Sequence, residues 1–144
     1  MKELDKLIVP MEDLFKKLPP LPKGVKEFIV AVTPWLALIF GVLGLIGLLI
    51  AIGLFTFLSP VMVLGGGVRV TTGLSLSLVL NFLSVLLIVI AVPSLFSRKI
   101  SGWNFVFLSE IVTVVSAALM FNFIGIVFSL VFFYVLFQIK SYYK

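Results

Sequence analysis

Cysteine and histidine are both missing from the chain. Their absence removes disulfides, thiolate nucleophiles, imidazole bases and the commonest zinc and haem ligands together, so most familiar catalytic and metal-binding constellations are excluded. Charge is also scarce: charged residues fill 12% of the 144 positions, about half the share of an ordinary soluble domain. General acid–base catalysis needs several positioned, tunable groups, and a single carboxylate lies within an apolar stretch, so no enzyme, cofactor or metal site is expected.

Apolar residues stand where charge is missing. At 62% of the chain they exceed what a globule of 144 residues can hide from water, because such a domain buries only about two-thirds of its unfolded surface. Lipid supplies the second apolar medium. The expected fold is an all-α integral membrane protein, a bundle of four transmembrane helices with an N-terminal amphipathic helix. The formal charge of +5 does not point to nucleic acid, since the basic residues form no long run and flank hydrophobic segments instead.

In residues 1–18, Leu4, Leu7, Ile8, Met11, Leu14, Phe15 and Leu18 recur at helical spacing opposite Lys2, Glu3, Lys6, Glu12, Asp13, Lys16 and Lys17. That pattern predicts an amphipathic helix at the cytoplasmic interface, kinked or divided at Pro10, which packs on the bundle, lies in the interface or docks a partner. The acidic residues interrupt any basic leader, which argues against a cleavable signal peptide. Residues 19–27 read as a linker, because Pro19, Pro20 and Pro22 enforce an extended connector; a proline-recognition ligand is its functional alternative.

Residues 28–144 then form the membrane domain, with spans over about 33–58, 71–92, 103–120 and 123–139. Thr33 and Pro34 suit the start of the first span and Ser59-Pro60 its end. Gly41, Gly44 and Gly47 clear bulk from one surface and predict close helix packing there. The run Gly65-Gly66-Gly67 predicts a turn; no lysine and hydroxyl follow it at the spacing a phosphate loop needs. Thr71 or Thr72 can cap the second span. The apolar region 103–138 is too long for one span, and Asn122 and Gly125 are the turn-compatible residues at which it would divide, although one tilted helix or a re-entrant hairpin also fits.

Four spans give the strongest charge asymmetry. Ten of the eleven lysines and arginines then fall on the cytoplasmic side with both termini, leaving Arg69 outside, whereas three spans give eight against three. The expected location is the cell membrane, multi-pass, with Trp35, Trp103, Tyr142 and Tyr143 as aromatic anchors at the cytoplasmic interface.

Glu110 is the one ionisable side chain well inside an apolar stretch, where contact with lipid tails would cost a charged carboxylate at least about 2–3 kcal/mol. It must therefore face protein or water. Ser84 reaches a similar depth on the second span, Asn81 lies one turn away and Thr113 follows at i+3, so Glu110, Asn81, Ser84 and Thr113 form a candidate intramembrane polar site with Glu110 paired to the second span. Ser109-Glu110-Ile111-Val112 with Leu119-Met120 resembles the glutamate-bearing helix of small multidrug resistance transporters, which are compact four-span proteins. The likeness covers about a dozen residues. That family carries its essential glutamate in the first span and Glu110 falls in the third, so no functional residue is carried over.

The sequence thus predicts a non-catalytic membrane protein of assembly or scaffold type, with the lipid bilayer and a homo-oligomer or membrane-protein partner as its contacts. The alternative is a small proton- or cation-linked transporter or channel that uses Glu110.

Overall fold

A computed structural model describes residues 2–144. It is all-helical, and four helices are long and apolar enough to cross a membrane. We label the helices α1 (Lys2–Lys16), α2 (Lys23–Val68), α3 (Thr72–Phe96), α4 (Ile100–Leu119) and α5 (Phe123–Ile139), the last followed by a 3-10 turn over Lys140–Tyr142.

Residues 17–22 carry the proline run, and α2 starts as soon as it ends. Pro22 holds φ at −55° and its carbonyl takes the first N–H groups, from Val25 at 3.0 Å and Lys26 at 3.1 Å. The helix therefore begins about ten residues before Thr33. Thr33 is consequently no cap: inside α2, its hydroxyl donates to the Ile29 carbonyl at 2.6 Å. Nor does Ser59-Pro60 end the first span. Pro60 cannot donate to the Thr56 carbonyl, and the Ser59 hydroxyl supplies that donor at 3.0 Å, so the helix carries on to Val68. Thr72 likewise donates back to the Val68 carbonyl at 2.8 Å.

The chain doubles back at Gly67, whose φ of 76° and ψ of 170° lie outside helical space and in a region open essentially to glycine. From there α3 runs antiparallel to α2. Trp35 meets Phe96 edge-to-face at 5.3 Å near one end of this hairpin, while Gly44 faces Val85 further along. The second hairpin turns over residues 120–122, where Phe121 takes φ 52° and the Asn122 side chain accepts the Gly125 N–H at 3.0 Å as the cap of α5.

The two hairpins differ in length. At about 1.5 Å per residue, the 46 residues of α2 extend about 69 Å and the 20 of α4 about 30 Å. Their packed core therefore sits at the end where the short hairpin and α1 overlap the long one. Trp103, Phe107, Leu95, Ile139 and Val30 are fully buried there, and Ile8 and Phe15 of α1 belong to the same cluster. At the opposite end Phe57 and Leu64 are 80% and 89% exposed.

Trp103 is thus no surface anchor but the centre of this core. It stacks on Phe107 at 5.3 Å and carries Lys140 Nζ over its ring at 5.4 Å. The physical reason lies at the end of α5. The Lys140 N–H bonds the Phe137 carbonyl, tightening the last turn, and the Trp103 indole N–H takes the Leu136 carbonyl at 2.9 Å. Tyr143 is buried too, at 5% exposure.

The N-terminal segment is fastened to α5. Phe15 stacks on Phe137 at 5.3 Å, the Tyr134 hydroxyl donates to the Pro19 carbonyl at 2.6 Å, and Glu12 is ion-paired with Lys140 and, at 3.0 Å, with Lys16. Lys140 beside Glu12 holds its carboxyl below the usual carboxylate value, against the opposing effect of burial, with Lys16 assisting. A depressed carboxylate pKa contributes stability that is complete above the unfolded value of about 4.3 and is lost as pH falls through the folded value. Docking of α1 should therefore hold at neutral pH and loosen below about pH 4. A spin label on Asp13 should gain mobility in acid, and Glu12→Gln should already show part of that mobility at neutral pH.

Candidate intramembrane polar site

Ser77, Asn81 and Ser84 fall at i, i+4 and i+7 on α3, and Ser109, Thr113 and Ser116 repeat that spacing on α4. Two antiparallel helices bearing the same polar stripe can match it end to end. They do so here. Ser77 Oγ and Ser116 Oγ lie 3.2 Å apart, and Asn81 Nδ2 donates to Ser116 Oγ at 3.4 Å. Seven residues on from Ser77, about two turns, Ser84 Oγ donates to the Ser109 carbonyl at 3.2 Å and Thr113 Oγ1 to Ser84 Oγ at 3.3 Å.

Each stripe is also tied to its own helix. Thr113 Oγ1 shares the Ser109 carbonyl at 2.9 Å, Ser109 Oγ donates to the Val106 carbonyl at 2.7 Å and Asn81 Nδ2 to the Ser77 carbonyl at 2.8 Å. Ser84, Ser109 and Ser116 are buried. The polar groups are thus engaged either between α3 and α4 or with their own helix, at about 0.6 kcal/mol per interhelical bond in comparable membrane bundles.

Glu110 stands apart from this stripe. One residue is a rotation of 100° around the helix, so with Ser109 turned to α3 its neighbour turns to α5. There the half-buried Glu110 carboxyl lies beside the buried Ser129 hydroxyl. The expected pairing of Glu110 with Ser84 or Asn81 is corrected on this ground: the depth count placed it at the right level of the helix and said nothing of its azimuth. Of the four residues expected to share a site, Ser84 and Thr113 are in contact, Asn81 lies further along the same stripe, and Glu110 faces elsewhere. Ser109, Ser116 and Ser129 complete the contacts. The matching i, i+4, i+7 spacing of Ser109, Thr113 and Ser116 was the signal for the first two; Ser129 had none.

The glycine face is also divided. A Cβ on Gly41 would come within 3.2 Å of Val89 Cγ2 and one on Gly44 within 3.1 Å of Val85 Cγ2, whereas one on Gly47 would meet nothing within 4 Å. Three-residue steps fall short of a turn by about 60° each, so the third glycine has rotated off the face. Leu48, seven residues after Gly41, is the buried residue there. Gly44→Leu should accordingly lower the stability of the purified protein by about 1–3 kcal/mol in a denaturant titration, whereas Gly47→Leu meets open space and should raise it by about 0.5–1 kcal/mol, as removal of a helix-interior glycine does.

No family model, no curated protein and no solved structure matches this chain. The local likeness around Glu110 therefore carries no argument beyond the residues themselves.

Proposed function

We propose that the chain is a multi-pass protein of the cell membrane that acts by assembly, as a non-catalytic scaffold or small subunit, with both termini on the cytoplasmic side. The observation that carries this reading is the paired polar stripe. Side chains that would line a conduction route are engaged in bonds between α3 and α4 or back to their own helices, at 2.7–3.4 Å. Among the described residues Glu110 has no ionisable partner with which to relay a proton; the polar group beside it is Ser129.

The orientation rests on where the cations stand. Lys23, Lys26, Arg98, Lys99, Lys140 and Lys144 all belong to the helix ends and loops around the Trp103 core, the end that also carries α1, while Arg69 follows the distant Gly67 turn. Retention of lysine and arginine in the cytoplasm supports an orientation with that end inside. Helix α1 buries Ile8 and Phe15 and leaves Leu7, Val9 and Leu14 exposed next to its lysines, as an amphipathic helix lying along the interface would. A homo-oligomer or another membrane protein is the partner this reading implies.

The second reading, a proton- or cation-linked transporter, draws on one observation, a carboxyl half-buried within α4. Proteoliposomes containing the purified protein decide between them. The scaffold reading expects proton and alkali-cation flux no greater than in protein-free liposomes, for both the natural protein and Glu110→Gln. Flux in the natural protein that Glu110→Gln abolishes would sink it, because an amide keeps the hydrogen bond but cannot exchange the proton.

A further inference from the structure

Between α1 and the bundle lies a cavity of about 510 Å³, within the size range of small-molecule sites. Three lysines line it, each from a different element: Lys16 from α1, Lys26 from the first turn of α2 and Lys140 from the end of α5. Glu12 is the one carboxylate in its wall, and Gln138 and Ser141 add neutral polar groups. Three cations against one anion leave the lining with a net charge of +2. Glu12 is shared by Lys16 and Lys140, whereas Lys26 has no ion pair among the described residues. Lysines on a solvated face spread apart to lower their mutual repulsion. Here the packing of α1 on α5 and the start of α2 gathers them around one open cleft, whose lining includes Phe15 and Phe137.

We infer that this cavity binds a phosphate-bearing anion through Lys16, Lys26 and Lys140. A phosphate offers several acceptor oxygens to convergent ammonium groups, and Gln138 and Ser141 can donate to those the lysines leave. The cavity opens at the end of the spans where α1 lies, the level of lipid head groups in a membrane orientation. Basic pockets between helix ends at this level suit anionic head groups, so an anionic phospholipid and a free phosphate are two sources of the same chemistry. Binding would hold α1 against α5, since one of the three lysines belongs to α1. The site stands whether the protein is a scaffold or a transporter, because Glu110 has no part in it.

The test is native mass spectrometry of the full chain, released from detergent and titrated with phosphatidylglycerol, phosphatidylcholine or inorganic phosphate. Lys26→Gln is the informative variant, since among the described residues the Lys26 side chain makes no ion pair, unlike Lys16 and Lys140; Lys26→Arg should preserve binding, and Lys99→Gln, outside the cavity, serves as control. One phosphatidylglycerol per chain is expected, bound in preference to phosphatidylcholine, with affinity reduced about five-fold in Lys26→Gln and unchanged in Lys99→Gln. Saturable inorganic phosphate binding with the same dependence on Lys26 would support the site and identify a soluble ligand. Equal losses in Lys26→Gln and Lys99→Gln, or no anion preference at all, would overturn it.

Discussion

Trp103→Ala is expected to lower the unfolding free energy by about 3–5 kcal/mol, the range for deleting a large buried aromatic. The indole is 0% exposed and joins four elements of the structure. It stacks on Phe107 within α4, meets Phe137 of α5 edge-to-face at 5.5 Å, lies beneath Lys140, and shares one cluster with Ile8 and Phe15 of α1 and with Leu95 of α3. Its removal leaves a cavity at the best-packed place in the molecule and takes the donor from the Leu136 carbonyl. Trp103→Phe separates the two contributions: it restores much of the volume and not the hydrogen bond, so it should cost about 1 kcal/mol from the bond together with a smaller packing term. Thermal unfolding in detergent followed by far-ultraviolet circular dichroism reads both. A loss below about 1 kcal/mol for the alanine variant would mean that this end of the bundle is not the cooperative core.

Gly102→Ala should be the most damaging methyl group in the chain. Its Cβ would stand 2.8 Å from the Leu95 backbone nitrogen and 2.9 Å from the Ser94 carbonyl carbon. Backbone cannot rotate out of the way as a side chain does, so the start of α4 must move off the end of α3. Overpacking of this kind costs about 1–3 kcal/mol. The sign is diagnostic, because alanine in a helix is intrinsically favoured over glycine by about 1 kcal/mol. Gly53→Ala supplies the contrast: Gly53 lies inside α2 with nothing within 4 Å of its Cβ, and this variant should gain about 0.5–1 kcal/mol. Opposite signs for the same substitution at two helical glycines isolate the close approach from propensity.

Hydrophobic run length made the four apolar helices legible, and the division at residues 120–122 could be anticipated because Asn122 and Gly125 interrupt an otherwise unbroken apolar stretch. What escaped was azimuth and tertiary rescue. Proline at position 60 reads as a stop, and only the placement of the Ser59 hydroxyl on the Thr56 carbonyl shows why the helix continues. Gly47 looks equivalent to Gly41 and Gly44 in a list of spacings, yet 120° of accumulated rotation separates it from the face. Trp103 has the composition of an interface anchor and the position of a core residue, because Gly102 lets α4 approach α3 closely enough to enclose it.

Glu110 shows the same limit most clearly. Depth along a helix follows from counting residues, but direction around it depends on which neighbour claims the adjacent stripe. Ser109, Thr113 and Ser116 are the residues that match Ser77, Asn81 and Ser84, and once they face α3 the carboxyl one position on must face α5. A polar site centred on Glu110 and a polar stripe between α3 and α4 are therefore separate features, and only the stripe gathers several groups.

That separation is the central claim, and oxidative cross-linking in isolated membranes tests it against a chain that contains no cysteine of its own. A disulfide needs Cα atoms within about 7 Å. The account predicts that the pair Ser77→Cys with Ser116→Cys cross-links readily, and that Asn81→Cys with Glu110→Cys does not. Efficient cross-linking of positions 81 and 110, with failure at 77 and 116, would contradict it, placing the carboxyl among the α3 hydroxyls and reopening a polar route through the bundle.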